Sequence, residues 1–126
     1  MKRIIISTIC FVMVLVLCLS EGKLIEKETN PLINILNEAA TLSNGEDYAS
    51  TEKVMKQAVL QWEESVKFLG VILRHNELDA IDGIFAKAYI YAKNGDNPSF
   101  QVEVYELIHR LYHLNSREKF TLKNIF

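Results

Sequence analysis

The chain has 126 residues, 49% of them apolar, with 14 Lys and Arg against 16 Asp and Glu for a formal net charge of −2. That length holds one domain plus a leader, and the lack of basic excess excludes a general nucleic-acid binder, which needs a positively charged face. Cys10 and Cys18, the 2 cysteines, lie in the first twenty residues, so the remainder offers no disulfide, thiolate nucleophile or thiolate metal site.

Lys2 and Arg3 precede an apolar run over residues 4–19 whose polar members are Ser7, Thr8 and the two cysteines. A basic start followed by such a run is read as an export signal or a membrane anchor. The run, about 16 residues, falls between the roughly 7–15 of a signal-peptide core and the roughly 17–25 of a spanning helix. With Ser20, Glu21 and Gly22 in the interfacial zone, a helix starting near Arg3 can span a thin bilayer. A cleaved signal is the alternative: small residues stand three and one before a cut ahead of Glu21, and again ahead of Lys23. No Pro or Gly breaks the helix before either site, which favours the uncleaved anchor, and Leu17 is too bulky to precede a lipid-modified Cys18. Lys2 and Arg3 on the amino side predict a cytoplasmic N-terminus and an extracytoplasmic C-terminal domain at the cell membrane. Without those two residues, 12 basic side chains face 16 acidic ones, so electrostatic attraction to anionic lipid is not expected.

The remainder reads as helices with short breaks. Residues 1–22 form the anchor or signal segment, 23–30 extend the membrane helix or form a short stalk, and 31–126 form the bundle domain. Asn30-Pro31 and Asn97-Pro98 each place an Asn cap before a proline at a first helical position. The first bundle helix is expected over 31–42, with Leu32, Ile35, Leu36, Ala39 and Leu42 on one face, ended by Asn44-Gly45. The second starts near Ser50 or Thr51 and reaches about Arg74, on a stripe of Val54, Ala58, Val59, Trp62, Val66, Leu69, Ile72 and Leu73. The third covers about 77–93 with Leu78, Ile81, Phe85, Ala88 and Ala92 inward, and Asn94-Gly95-Asp96 follows as a turn. The fourth spans about 98–115 with Val104, Leu107, Ile108, Leu111 and Leu114, and the apolar residues of 116–126 can pack back on the bundle. The fold class is therefore all-α: an N-terminal transmembrane or signal-anchor helix followed by an antiparallel bundle of about four helices.

With these landmarks the chain resembles the bacterial family called domain of unknown function 4363. The resemblance rests on the N-terminal apolar helix, Gly45-Glu46-Asp47-Tyr48-Ala49, Trp62, the stretch Leu73-Arg74-His75-Asn76-Glu77-Leu78-Asp79 with Ile81, and Glu118-Lys119-Phe120-Thr121-Leu122-Lys123-Asn124-Ile125-Phe126. It implies a small membrane-anchored helical protein of Gram-positive spore formers, associated with a multi-spanning membrane protein of unknown role. It implies no activity. Asn76 and Gly83 depart from the family pattern by making the start of the third helix less helix-favouring.

Candidate sites are few. His75, Glu77 and Asp79 gather at the second junction as a ligand cluster or a partner contact that responds to pH; the plainer reading is charge complementing helix ends, His75 at the end of one helix and Glu77, Asp79 and Asp82 at the start of the next. His109 and His113 share a helix face at a spacing that can chelate metal, but Arg110 stands where a His-Glu-x-x-His motif needs its Glu, and surface histidines are the simpler reading. Trp62 reads as core with its indole N–H near solvent. Tyr89, Tyr91, Tyr105 and Tyr112 are a candidate aromatic patch or bundle-edge rings. Glu46-Asp47 and Glu63-Glu64 read as solvated faces.

No residue set marks a catalytic, cofactor or metal site, so the expectation is a non-enzymatic accessory protein. It would dock on an integral membrane protein through His75, Glu77, Asp79, Asn124, Ile125 and Phe126. The alternative is a cleaved, secreted helical module that binds a small ligand or a cell-wall component.

Overall fold

The computed structural model describes residues 1–125, with side chains described for 1–20 and 22–115. Four helices follow one another: α1 (Lys2–Asn44), α2 (Tyr48–Leu69), α3 (His75–Asn94) and α4 (Asn97–Ile125). Each packs on its chain neighbours, and α1 also packs on α4, closing the ring; among the described residues α1 does not pack on α3, nor α2 on α4. The result is the expected antiparallel bundle.

α1 corrects the expected start at Pro31. It is a single helix of 43 residues with Pro31 inside it, so Asn30 is not a cap and residues 23–30 continue the apolar helix, the first of the two expected alternatives. Ile25 and Thr29 are fully buried, and the bundled part of α1 begins there. Burial of that face against neighbouring helices outweighs the hydrogen bond that Pro31 cannot donate. The first twenty residues project as exposed helix, with no apolar side chain among them in the core.

The turn after α1 also differs. Gly45 sits at φ −81, and Glu46 takes the left-handed conformation at φ 62. Its N–H reaches the Ser43 carbonyl at 3.1 Å, and the Asp47 N–H reaches that of Leu42 at 3.1 Å, the bond pattern of a Schellman cap centred on Glu46. Asp47 then starts α2, its Oδ1 accepting from the Ser50 N–H at 3.2 Å. The turn after α3 repeats the scheme with glycine where it belongs: Gly95 has φ 71, and the Asp96 N–H bonds the Tyr91 carbonyl at 3.0 Å. Asp96, not Asn97, caps α4, accepting from the Ser99 N–H at 3.4 Å. α2 ends at Leu69 rather than near Arg74, and α4 runs beyond Asn115.

The core is one cluster centred on Trp62, Phe85, Phe100, Leu36, Leu107 and Leu111. The third and fourth helices bury the expected stripes, apart from a half-buried Ile108. On α2 the buried face is Thr51, Met55, Ala58, Trp62, Ser65 and Leu69, turned away from Val54, Val59 and Val66, which pack at its edge. Two of those buried residues are polar because they have partners: Ser65 Oγ donates to Glu28 Oε2 at 2.7 Å, and Thr51 Oγ1 to the Asp47 carbonyl at 2.7 Å.

Candidate functional site

Four cross-helix hydrogen bonds fix which ends lie together. Ser65–Glu28 and Asn115 Nδ2–Asn30 Oδ1 (3.1 Å) sit near the start of the bundled part of α1. Gln101 Nε2 donates to the Ala40 carbonyl at 3.0 Å, and Ser43 Oγ to Asn97 Oδ1, at its other end. The end of α2, the start of α3 and the 110s of α4 therefore share the proximal end of the bundle, from which the apolar segment projects. The two capped turns at Glu46 and Gly95 lie at the distal end.

The junction residues do not form one cluster. Arg74 is the extended residue before α3, so His75 begins α3 rather than ending α2. At 100° per residue His75 and Asp79 share a face and Glu77 points elsewhere. Accordingly His75 and Asp79 are exposed, while Glu77 is half-buried and turns toward α4.

There it meets the other candidates. Glu77, Ile81, Glu106, His109, Arg110, His113 and Leu114 line an open groove of about 330 Å³ between α3 and α4. The rings of His109 and His113 lie parallel, 6.3 Å apart with 17° between planes. Arg110 Nη2 pairs with Glu106 Oε1 at 3.2 Å on the groove wall. Ile81 and Leu114 give it an apolar floor. Apolar floor, imidazole edges and charges of both signs suit a polar side chain or a small polar molecule. Among the described residues no group of three His, Cys, Asp or Glu side chains is placed to hold a metal ion. The sequence shows each half of this site; pairing the start of α3 with the end of α4, as antiparallel neighbours must, would have joined them.

Asn124 and Ile125 belong to the last turn of α4, but their side chains and all of Phe126 lie outside the described residues. The tyrosines divide: Tyr89 and Tyr91 pack on the core, and Tyr105 and Tyr112 are exposed on α4. Trp62 is fully buried, stacked on Phe85 with ring centroids 5.2 Å apart and 18° between planes. Its Nε1–H donates to Asp82 Oδ1 at 3.1 Å.

The family model for Domain of unknown function (DUF4363) matches residues 21–125, and the chain belongs to that family. The match begins just past the apolar run and takes in the whole bundled part of α1. No curated protein and no solved structure matches the chain.

Proposed function

We propose that this member of the DUF4363 family is a membrane-anchored, non-enzymatic accessory protein, its N-terminus cytoplasmic and its bundle outside the cytoplasm, docking on an integral membrane protein. The continuity of α1 carries the reading: the apolar residues 4–19 and the core residues Ile25, Leu32 and Leu36 lie on one helix. α1 as a whole is long and apolar enough, by length and composition, to cross a membrane, and a helix without a break holds the bundle at a fixed height above the bilayer. The proximal end is then the part nearest a membrane partner, and it carries the Glu77–His113 groove.

The test is purification of the full-length tagged protein from its own membranes in mild detergent. One integral membrane protein recovered in equal amount, and lost on Glu77→Lys or on removal of residues 124–126 with the melting temperature unchanged, would support docking. Recovery of this chain alone, or only from the medium, would overturn it.

The groove favours a second reading, a secreted module that binds a small polar ligand. Cleavage ahead of Glu21 or Lys23 would spare every buried residue among those described, where burial begins at Ile25. Intact mass separates the two: a released product lacks the apolar run.

A further inference from the structure

The corner between α2 and α3 is built unlike the two distal turns. Those are polar and capped; residues 67–74 read Lys-Phe-Leu-Gly-Val-Ile-Leu-Arg. Leu69 and Leu73 point into the core, and Ile72 packs at its edge. Phe68 and Val71 point out: Val71 is 86% exposed and Phe68 54%. Apart from Met1, no other large apolar side chain among the described residues is as exposed as Val71. Lys67 and Arg74, both exposed, bracket the pair.

Its height is fixed by the bundle. The Ser65–Glu28 bond sets α2 residue 65 level with α1 residue 28. Val71 lies six positions further toward the proximal end, at most about 9 Å by helical rise, level with about residue 22 of α1. The apolar run stops at Leu19, only about 5 Å beyond. As a helix that run is about 24 Å long, short of the roughly 30 Å hydrocarbon core, so the residues just past it are drawn into the interfacial layer. The corner is at that same level, displaced sideways because α3 is not a neighbour of α1.

We infer that the α2–α3 corner is a second membrane contact, with Phe68 and Val71 inserted into the interface of the bilayer that holds α1 and with Arg74, and Lys67 from its exposed ion pair with Glu64 (3.1 Å), reaching the headgroups. The inference rests on the membrane-anchored reading. The contact is apolar rather than electrostatic, consistent with the acidic balance of the bundle, and long basic side chains commonly lie along such a boundary with their charges outward. Two attachment points displaced from each other fix the rotation of the bundle about α1. An anchor alone would leave the bundle free to turn. With both, one fixed side of the bundle faces along the membrane toward a partner.

The test places a nitroxide spin label at single positions of the full-length protein, Cys10→Ser and Cys18→Ser throughout, reconstituted in phosphatidylcholine–phosphatidylglycerol vesicles. Collision with oxygen, which concentrates in lipid, is compared with collision with a water-soluble nickel chelate. Met13→Cys reports the anchor, Val71→Cys the corner, and Val102→Cys an exposed apolar position near the distal end. The expected result is a lipid-type oxygen preference at 13 and 71 and a water-type ratio at 102. Lipid at 13 with water at 71 would overturn the inference while sparing the anchor. Water at both 13 and 71 would overturn the anchored reading as well.

Discussion

The indole N–H of Trp62 on α2 donates to Asp82 on α3 at 3.1 Å, joining the largest core side chain to a carboxylate at the surface. The bond lets a polar-tipped ring be fully buried without an unpaired donor, and it fixes α2 against α3 beside the Phe85 stack. Asp82→Ala removes the acceptor and strands the indole N–H, which costs about 1–3 kcal/mol. Asp82→Asn keeps an oxygen in place and is expected to recover most of that loss. Urea midpoints of the two variants measure the difference, and the single Trp62 supplies the fluorescence signal. Equal stability of both with the wild type would show that the bond contributes nothing.

The two distal turns make an opposed pair. Glu46 occupies the left-handed region that Gly95 occupies in the other turn, and a side chain there costs about 1–2 kcal/mol. Glu46→Gly is expected to raise stability by about 1 kcal/mol, less the extra freedom glycine gives the unfolded chain. Gly95→Ala is expected to lower it by a similar amount. Melting temperatures should move in opposite directions.

Glycines within the helical framework differ by their surroundings. A Cβ at Gly83 meets nothing within 4 Å, and this α3 position faces solvent, so Gly83→Ala is expected to stabilise by about 1 kcal/mol through helix propensity. At Gly70 the same atom would come within 2.9 Å of the Val66 carbonyl oxygen, backbone that cannot easily give way. Gly70→Ala is expected to destabilise, and because it strains the α2–α3 corner it should also weaken the lipid signal at Val71.

Much of this architecture was legible in the sequence, for identifiable reasons. Leu78, Ile81, Phe85, Ala88 and Ala92 recur at helical spacing with nothing polar among them, so the inner face of α3 could be read directly. α2 misled because Thr51 and Ser65 are on its buried face, made acceptable by hydrogen bonds, one of them to Glu28 on another helix, that spacing cannot reveal. α1 misled because Pro31 ordinarily starts or stops a helix, whereas here packing on both sides of it prevails. The groove stayed hidden because its halves, Glu77 and His109–His113, are far apart in the chain and meet only through the α3–α4 pairing.

Ser65 is one of two polar residues on the buried face of α2. It is fully buried and bonded to Glu28. Ser65→Leu adds methylenes and removes the donor, and is expected to cost about 1–3 kcal/mol from overpacking alone. Ser65→Ala keeps the space and loses only the bond, about 1 kcal/mol. A ranking of wild type above Ala above Leu in equilibrium unfolding is the expected result; Leu equal to Ala would show that the interface yields.

Pro31 brings stability and geometry together. Within α1 it supplies no N–H to the Lys27 carbonyl, and its ring crowds that oxygen, a defect worth about 3 kcal/mol in a helix interior. The ring also restricts the unfolded chain, returning about 0.4–1 kcal/mol. Pro31 is exposed, so replacing it disturbs no core contact. Pro31→Ala is therefore expected to stabilise the bundle by about 2 kcal/mol, read from the urea midpoint. The same change restores the regular helix within the bundled part of α1, past its first buried residues Ile25 and Thr29, at a position where a proline is the common cause of a bend. Distances between spin labels at Met13 and Val102 should then shift while the distance between two bundle positions, such as Leu60 and Val102, holds. A gain in stability with no change in either distance would mean that the proline weakens α1 without steering it.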